Sequence, residues 1–224
     1  NMLNKKNEKL LLFDYDGTLV DSAQMIIDGT IEAFNRCGLA TPKPEVIKAG
    51  IGQKLHVAFK RYIPLEHKGL INEVIRHYRQ WYVEKDLEGT QFEPLFTNVK
   101  PVLKTLYQHG WKLGIATNKS LRGLSRGLSH HEIENFFSII MTADDFTPKP
   151  DKAMAIHALR TLKVKNSEAF VIGDTVYDIT MGKNAKIKTV GVTWGYNTKE
   201  ELLHANADHI IHEPNELVEI LRKR

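Results

Sequence analysis

Two aspartates, Asp14 and Asp16, follow directly after an apolar run at residues 10–13. In an extended segment, carboxylates at this spacing lie on the same side of the chain and repel each other. A fold therefore keeps such a pair for a cation or for proton chemistry. Gly17 lets the chain turn away tightly behind them. Ligands of open α/β sheets bind beyond the carboxyl ends of the strands, so we predict a reactive or cation-binding site at this strand end.

A second pair of acids, Asp174 and Asp178, follows another apolar run, at residues 169–172. These two acids lie one helical turn apart if a helix begins after the intervening glycine. Because the carboxyl ends of parallel strands share one edge of a sheet, we expect Asp174 close to Asp14 and Asp16. Ligands that are all oxygen atoms favour a hard cation such as Mg²⁺ over Zn²⁺.

Two further segments suit an anion. The apolar run at residues 113–116 ends in Thr117, Asn118 and Lys119, whose hydroxyl, amide and ammonium groups can bind phosphate. Downstream, Lys149 stands between two prolines, which restrict the backbone and would place the ammonium rigidly. A lone lysine in a proline-rich turn is ordinarily a surface residue. Lys149 is therefore a candidate site residue only in combination with the other polar segments.

Apolar runs and helical periodicity alternate along the chain. The six predicted strands are residues 10–13, 113–116, 139–141, 169–172, 189–192 and 209–211. Strands that are apolar almost throughout are typical of a parallel sheet covered on both faces. Helical spacing predicts helices at 99–107, 153–159 and 217–221, with Asn98 and Asp151 as N-caps of the first two. This alternation predicts a doubly wound, Rossmann-like α/β fold with a parallel sheet.

One region breaks the alternation, because roughly a hundred residues separate the first two predicted strands, far more than a usual connection. Residues 22–37 and 66–85 within it have helical periodicity. We therefore predict a small, all-helical cap domain at residues 20–91, inserted after the first strand, and a core domain made of residues 1–19 and 92–224. Inserted modules of this kind often act as lids over the site below them.

Together, the four polar segments resemble the haloacid dehalogenase superfamily of phosphohydrolases. The shared motifs are Asp-x-Asp-Gly-Thr, a strand-end threonine, a loop lysine and Gly-Asp-x-x-x-Asp, in this order between residues 9 and 212. The helical insertion is similar to the small helical cap of this superfamily. Residues 14–22, Asp-Tyr-Asp-Gly-Thr-Leu-Val-Asp-Ser, and residues 116–119, Ala-Thr-Asn-Lys, resemble the phosphoglycolate phosphatase-like group.

The resemblance implies catalytic roles for four residues. Asp14 would attack phosphorus and form an aspartyl-phosphate, while Asp16 would protonate the leaving oxygen and later take a proton from water. Thr117 and Lys149 would hold the phosphoryl group. A carboxylate is ionised at neutral pH and needs no base to become a nucleophile, but Mg²⁺ and Lys149 must offset its repulsion from phosphate.

The resemblance also implies a Mg²⁺ cofactor. Asp14, the backbone carbonyl of Asp16 and Asp174 would bind the ion, and Asp178 would support the water shell of the ion or Lys149. The lysine assignment has an alternative in Lys119. Relatives often have a second proline three residues after the loop lysine, and this chain has another lysine there instead.

Residues that contact the substrate are predicted in two places. The core-motif residues predicted to do so are Thr18, Asn118 and Lys119. In relatives, a loop between cap helices faces the site, and here Gly50, Gln53, Lys54 and Arg61 occupy that region. A turn that merely connects two helices, with solvated charges, fits these four residues equally well.

Composition restricts the class of protein. The 224 residues carry a net charge of +4, with basic and acidic residues interspersed, so we expect no nucleic-acid partner. The single cysteine, Cys37, excludes an internal disulfide and fits a reducing cytoplasm. The first residues lack the apolar region of a signal peptide, and no stretch approaches the length of a membrane span. We therefore expect a cytoplasmic monomer or homodimer without a membrane partner.

Several functions fit these motifs. The leading interpretation is a phosphatase for a small phosphorylated metabolite, similar to phosphoglycolate phosphatase. A sugar phosphomutase of the β-phosphoglucomutase kind would use the same aspartates, and a pyrophosphatase would differ only in its leaving group. Dehalogenation is disfavoured because dehalogenase relatives lack the second acid, here Asp16. A non-catalytic binding protein that keeps the fold is the interpretation from another class.

Overall fold

The structure is a computed structural model that describes residues 9–89 and 93–222. The predicted domain boundary between residues 91 and 92, and the first residues of the predicted 1–19 segment, lie outside the described residues.

The centre of the fold is a six-stranded sheet. Its strands are Leu10–Phe13 (β1), Lys112–Thr117 (β2), Phe137–Thr142 (β3), Ala169–Gly173 (β4), Lys188–Val192 (β5) and His209–Ile211 (β6). Every neighbouring pair is parallel, and the strand order is β3-β2-β1-β4-β5-β6. The first strand therefore lies between β2 and β4, so the carboxyl ends of these three strands are adjacent.

Helices cover both faces of this sheet. The α-helices of the described residues are Ala23–Arg36 (α1), Pro44–Ala49 (α2), Leu55–Tyr62 (α3), Ile71–Glu88 (α4), Val99–Gln108 (α5), Leu121–His130 (α6), Ala153–Leu162 (α7), Val176–Asn184 (α8), Lys199–His204 (α9) and Asn215–Arg222 (α10). On one face, α5 and α10 share an apolar cluster with Leu11 and Phe13 of β1. On the other face, α7 and α8 share a cluster with Leu10 and Leu12. Burial from both sides explains why β1 is apolar throughout, and the predicted doubly wound α/β fold is confirmed.

Helices α1 to α4, the first four after β1, pack on one another. Helix α1 lies along α4, and α3 also packs against α4. Their buried side chains, among them Phe34, Phe59 and Val74, form an apolar cluster separate from the two clusters of the sheet.

The chain leaves the sheet for these helices and returns at the same place. The backbone N–H of Asp21 donates to the carbonyl of Pro94 at 2.8 Å, and the N–H of Phe96 donates to the carbonyl of Leu19 at 3.0 Å. The two connections between the helical segment and the sheet, at residues 19–21 and 94–96, therefore lie side by side just beyond the end of β1.

Two local predictions need correction. Residues 65–70 form a 3₁₀ helix, so α4 begins at Ile71 rather than at residue 66; short 3₁₀ turns are frequent at helix starts. Asn98 is the N-cap residue of α5 as predicted, with a left-handed backbone (φ of 67°) and no capping hydrogen bond from its side chain. Lys152, not Asp151, is the N-cap of α7, although Asp151 Oδ1 accepts a hydrogen bond from the N–H of Ala153 at 2.7 Å.

Among the described residues, no helix combines the length and the apolar character needed to cross a membrane.

Candidate active site

The four polar segments meet at the carboxyl edge of the sheet. Asp14 follows β1, Thr117 ends β2 and Asp174 follows β4, while Lys149 lies in the loop after β3. All four side chains are buried. The backbone N–H of Asp14 still pairs with the carbonyl of Ile172 in β4 at 2.9 Å, so sheet pairing itself positions the first aspartate.

Lys149 joins two of the acids. Its Nζ lies 2.9 Å from Asp14 Oδ1 and 2.7 Å from Asp178 Oδ1. Burial by itself lowers the pKa of Lys149, but the two carboxylates outweigh burial and hold the pKa above its ordinary value. The ammonium therefore stays charged next to Asp14, where it can attract an anionic group.

Three carboxylates lie close enough to share a cation. One oxygen each from Asp14, Asp174 and Asp178 lies within 4.8 Å of the others. Burial and then the charge of Asp178 raise the pKa of Asp174 to about 7, and the same two causes raise the pKa of Asp14. Asp14 Oδ2 is buried and has no hydrogen-bond partner among the described residues. A buried anionic oxygen without a partner is unfavourable, and an all-oxygen set of this kind fits a hard divalent ion.

Asp174 is held in place by two donors. Thr18 Oγ1 donates to Asp174 Oδ1 at 2.9 Å, and the backbone N–H of Tyr196 donates to Oδ2 at 2.9 Å. Gly17 has a φ of 83°, and a Cβ there would lie 2.3 Å from Asp174 Oδ2. A side chain at position 17 would therefore displace this carboxylate, which explains the glycine of the first motif.

Asp178 is oriented by the start of α8. The backbone N–H and the hydroxyl of Thr175 donate to Asp178 Oδ2 at 3.0 and 2.9 Å. This contact belongs to a capping box, in which the N-cap and the third helical residue satisfy each other. One oxygen of Asp178 is thus used by the helix cap, and the other is left for Lys149.

The side-chain amide of Asn118 forms its hydrogen bonds within the protein. Its Oδ1 accepts from the N–H of Lys149 at 2.8 Å, and its Nδ2 donates to the carbonyls of Lys149 at 3.1 Å and Gly52 at 2.8 Å. The geometry places Asn118 as a brace that fixes the lysine loop and contacts the helical segment. Thr117, beside it, lines the same cavity as Asp14 and accepts a hydrogen bond from the N–H of Lys119 at 3.1 Å.

Lys119 pairs with the second aspartate. Its Nζ lies 3.0 Å from Asp16 Oδ1 and 3.3 Å from Glu93 Oε1, and the ammonium lies 5.7 Å from the centre of the Tyr15 ring. Burial lowers the pKa of Lys119, but the carboxylates of Asp16 and Glu93 raise it further, so the net shift is upward. Asp14 and Asp16 therefore each have a separate lysine, and the Asp16 carboxylate is not in the three-acid cluster.

Glu93 is a site residue that the sequence did not predict. It is buried, accepts a hydrogen bond from the Tyr82 hydroxyl at 3.3 Å, and has a pKa raised mainly by burial. No motif surrounds Glu93, because its position follows from the return of the chain past the end of β1. The only available signal was a carboxylate in the short segment that leads back to the sheet.

A cavity of about 550 Å³ opens above these residues. Asp14, Asp16, Thr117, Asn118 and Lys119 line its floor on the sheet side. The predicted cap residues that line it are Gly50, Gln53 and Lys54. Two other predicted substrate contacts, Thr18 and Arg61, are not among its lining residues.

The loop between α2 and α3 fits tightly against its neighbours. A Cβ at Gly50 would lie 1.8 Å from the Tyr62 hydroxyl, so a larger residue would displace that tyrosine. Gln53 Nε2 donates to the Tyr177 hydroxyl at 2.6 Å, another direct contact between the helical segment and the rest of the chain. The loop thus closes one side of the cavity.

Fold, motif order and site geometry agree on one class of protein. The chain belongs to the haloacid dehalogenase-like hydrolase family, whose sequence model matches residues 11–192. The resemblance predicted from the four motifs is confirmed.

Individual relatives match almost the whole chain. The pyrophosphatase PpaX of Anoxybacillus flavithermus is 30% identical over 217 residues, which are 96% of this chain and 97% of that protein. The phosphoglycolate phosphatase of Psychrobacter arcticus is 29% identical over 223 residues, or 97% of each chain. A solved haloacid dehalogenase-like family hydrolase from Streptococcus pneumoniae is 26% identical with a TM-score of 0.85, covering 96% of this chain and 99% of that one. Phosphatases are therefore among its relatives at about the same identity as pyrophosphatases.

Proposed function

We propose that this protein is a Mg²⁺-dependent phosphatase that hydrolyses a small phosphorylated metabolite through an aspartyl-phosphate on Asp14. The observation that carries the proposal is the difference between the two carboxylate oxygens of Asp14. Its Oδ1 is held by Lys149 at 2.9 Å and by the N–H of Tyr15 at 2.7 Å, while its Oδ2 has no partner among the described residues. A carboxylate that lines a cavity, is fixed by one oxygen and has its other oxygen unpartnered is suited to attack.

The reaction takes two displacements at phosphorus. Asp14 Oδ2 donates an electron pair to phosphorus, the bond from phosphorus to the alcohol oxygen breaks, and Asp16 gives that oxygen its proton. A water molecule then attacks the same phosphorus and gives a proton to Asp16, and the bond between phosphorus and Asp14 breaks to release inorganic phosphate. Because Lys119 contacts Oδ1 of Asp16, the proton transfers are assigned to Oδ2.

Positive charge on the chain makes this attack feasible. Lys149 lies against the nucleophile, and Thr117 presents a hydroxyl to the same cavity, so both can hold the phosphoryl oxygens. Asp14, the backbone carbonyl of Asp16 and Asp174 would hold Mg²⁺, with Asp178 in support. The ion would supply positive charge that offsets the repulsion between nucleophile and phosphate.

The helical segment is proposed to be a separate cap domain, spanning residues 20–91. Its own apolar cluster and the paired entry and exit of the chain support this division. Near the site, its polar contacts with the rest of the chain include the Asn118–Gly52 and Gln53–Tyr177 hydrogen bonds and those of Arg126 with Tyr82 and Asp86. These are individual side-chain contacts, and the apolar cluster of the segment is separate from those of the sheet, so the segment can open to admit substrate without breaking a shared apolar core.

Pyrophosphate hydrolysis is a second candidate. Lys119 places a buried positive charge beside Asp16, where a leaving phosphate would carry negative charge. Relatives about 30% identical over most of the chain are named as pyrophosphatases PpaX. In this reaction the same aspartates act and only the leaving group changes.

Product analysis tests the proposal. We expect the purified protein to release phosphate from p-nitrophenyl phosphate and from at least one metabolite of a panel, and EDTA to abolish release. The panel contains 2-phosphoglycolate, sugar phosphates, nucleotides and pyrophosphate. Rearranged sugar phosphate without free phosphate would favour a phosphomutase, and hydrolysis of pyrophosphate alone would favour the second candidate. Binding without any turnover would contradict both.

Thr18 is expected to control metal affinity. Replacing Thr18 with valine removes the 2.9 Å hydrogen bond that orients Asp174 while keeping the size of the side chain. Loss of a partner that orients a ligand typically weakens metal binding about 10- to 100-fold. Calorimetric titration with Mg²⁺ should show this loss. Thr161→Val on the exposed side of α7 is the matched control and should bind Mg²⁺ as the wild type does; equal affinities in both variants would contradict the role of Thr18.

Glu93 is expected to act by positioning Lys119. Glu93→Gln removes one of the two carboxylates that hold this ammonium, and the loss of a charge-assisted hydrogen bond should lower kcat about tenfold. KM should change little, because Thr117 and Lys149 hold the phosphoryl group. Steady-state kinetics, measured at temperatures below the unfolding transition of the variant, would separate the effects on kcat and KM.

The control for this test is Glu132→Gln, which breaks an exposed pair with Lys100 at 3.4 Å. Unchanged kcat in Glu93→Gln, or equal losses in both variants, would show that Glu93 has no positioning role. Restoration of kcat in Glu93→Asp would support that role further, since the charge is kept.

A further inference from the structure

The cavity above Asp14 is much larger than a phosphoryl group needs. Its volume is about 550 Å³, whereas one water occupies about 30 Å³ in the liquid. Cavities of about 300–1,000 Å³ accommodate drug-sized ligands rather than single anions. Glycolate or a second phosphate would leave most of this space empty.

The walls on the helical side are mostly apolar. Ile47, Ala58, Phe59 and Ile75 line the cavity, and all four are buried. Among the described lining residues of the helical segment there is no aspartate or glutamate. Ala58, Phe59 and Ile75 also pack in the apolar cluster of helices α1–α4, so this part of the wall is fixed rather than a set of loose side chains.

Aromatic rings, and a tyrosine hydroxyl that is already hydrogen-bonded within the protein, complete this wall. Phe59 and Tyr78 meet edge to face with ring centres 5.3 Å apart, and both rings line the cavity. The hydroxyl of Tyr62 donates to the carbonyl of Ile47 at 3.1 Å and is therefore occupied. Gln53 Oε1, in contrast, is a buried acceptor without a partner among the described residues. Such a wall favours a ligand surface that is apolar and aromatic.

The charged lining residues of the helical segment are at the outer edge. Lys54 and Arg79 line the cavity and are exposed, so they can attract an anionic substrate without contacting the apolar wall. The phosphate end would be drawn to the floor, where Thr117 lies and where Lys149 pairs with Asp14 from below, and the rest of the substrate would face the helices.

We propose that the substrate is a phosphate ester of an alcohol that carries a bulky, apolar ring, and that the α2–α4 wall binds this ring. The inference rests on the proposed phosphatase function and names its substrate class. Burial of a ring against this wall stabilises the complex of the protein with such an ester, and a small polar leaving group gains nothing from the wall.

Two esters of primary alcohols test the inference, because their leaving groups have similar basicity. We expect kcat/KM for benzyl phosphate to exceed that for ethyl phosphate at least about tenfold. Calorimetry on the Asp14→Asn variant in Mg²⁺ should give the same order of affinity without turnover. Equal values, or a higher kcat/KM for 2-phosphoglycolate or pyrophosphate than for benzyl phosphate, would overturn the inference.

Filling the cavity provides the matched test. Ala58→Phe should reduce the ratio of benzyl to ethyl phosphate kcat/KM at least about fivefold, and Val83→Trp, on α4, repeats the test if the first variant does not fold. Val57→Phe, on the exposed side of the same helix as Ala58, should leave the ratio unchanged. An unchanged ratio in both filled variants would overturn the inference. Preferential binding of benzyl phosphate without hydrolysis of either ester would support the pocket and contradict the phosphatase function.

Discussion

Asp14→Asn is expected to abolish Mg²⁺-dependent phosphate release while the protein folds normally. The asparagine carbonyl can still accept the hydrogen bonds that Lys149 and the N–H of Tyr15 now give to Asp14 Oδ1. It cannot form an acyl phosphate, so kcat should fall by at least about 10⁴-fold, as is common when a nucleophile is removed. The substitution also removes one of three buried, mutually repelling carboxylates, so we expect no loss of thermal stability.

The control is Asp21→Asn, which changes an exposed aspartate in the same segment. This variant should keep wild-type turnover, because Asp21 is not in the acidic cluster and does not line the cavity. Phosphate release from p-nitrophenyl phosphate measures both variants, and thermal unfolding checks their folding. Activity above about one per cent of wild type in a folded Asp14→Asn protein would rule out Asp14 as the nucleophile.

Lys149→Met is expected to reduce stability as well as activity. Methionine keeps most of the side-chain volume but leaves Asp14 and Asp178 without their shared cation. Removing one partner of a buried ion pair typically costs about 3–5 kcal/mol, since an uncompensated charge stays behind. Loss of the ammonium from the phosphoryl site should also lower kcat about 10²- to 10³-fold.

Lys152→Met in the same loop separates these effects from a general effect of losing a lysine. Lys152 is exposed and lies outside the cavity, so its replacement should change neither the unfolding midpoint nor kcat. Denaturant unfolding in EDTA gives the stability of each variant. A Lys149→Met protein as stable as Lys152→Met would mean that the Asp14–Lys149–Asp178 contact contributes little to the fold.

Much of the sheet and of the site at its edge could be predicted because the sequence signals are local. Each strand is an apolar run bounded by polar residues, and each of Asp14, Thr117 and Asp174 stands at the end or directly after one of them. Parallel pairing then brings strand ends together without further information. The confirmed fold and family follow from this local pattern.

Other features depend on contacts between distant parts of the chain. Glu93 meets Lys119 across 26 residues, and Thr18 meets Asp174 across 156, so neither partnership has a sequence signature. Thr18 was predicted to contact substrate but donates to a carboxylate. The positions of the predicted cap residues are set by how helices α1 to α4 pack, which explains why Gln53 lines the cavity and Arg61 does not.

The apolar wall illustrates the same limit. Phe59 and Ile75 have the spacing of ordinary core residues, and they do pack in a helical core. Only the three-dimensional arrangement shows that the same side chains also line the space above Asp14. Periodicity predicts that a helical face is buried, but it does not distinguish burial in a core from burial along a ligand cavity.

The central claim is that Asp14 becomes phosphorylated, and chemical trapping tests it most directly. The protein is mixed with p-nitrophenyl phosphate and Mg²⁺, quenched with acid during turnover, and treated with borohydride, which reduces an acyl phosphate to an alcohol. Peptide mass spectrometry should then find homoserine at position 14, and none should form without substrate. Unmodified Asp14 during active turnover, or homoserine at Asp16 instead, would contradict the mechanism.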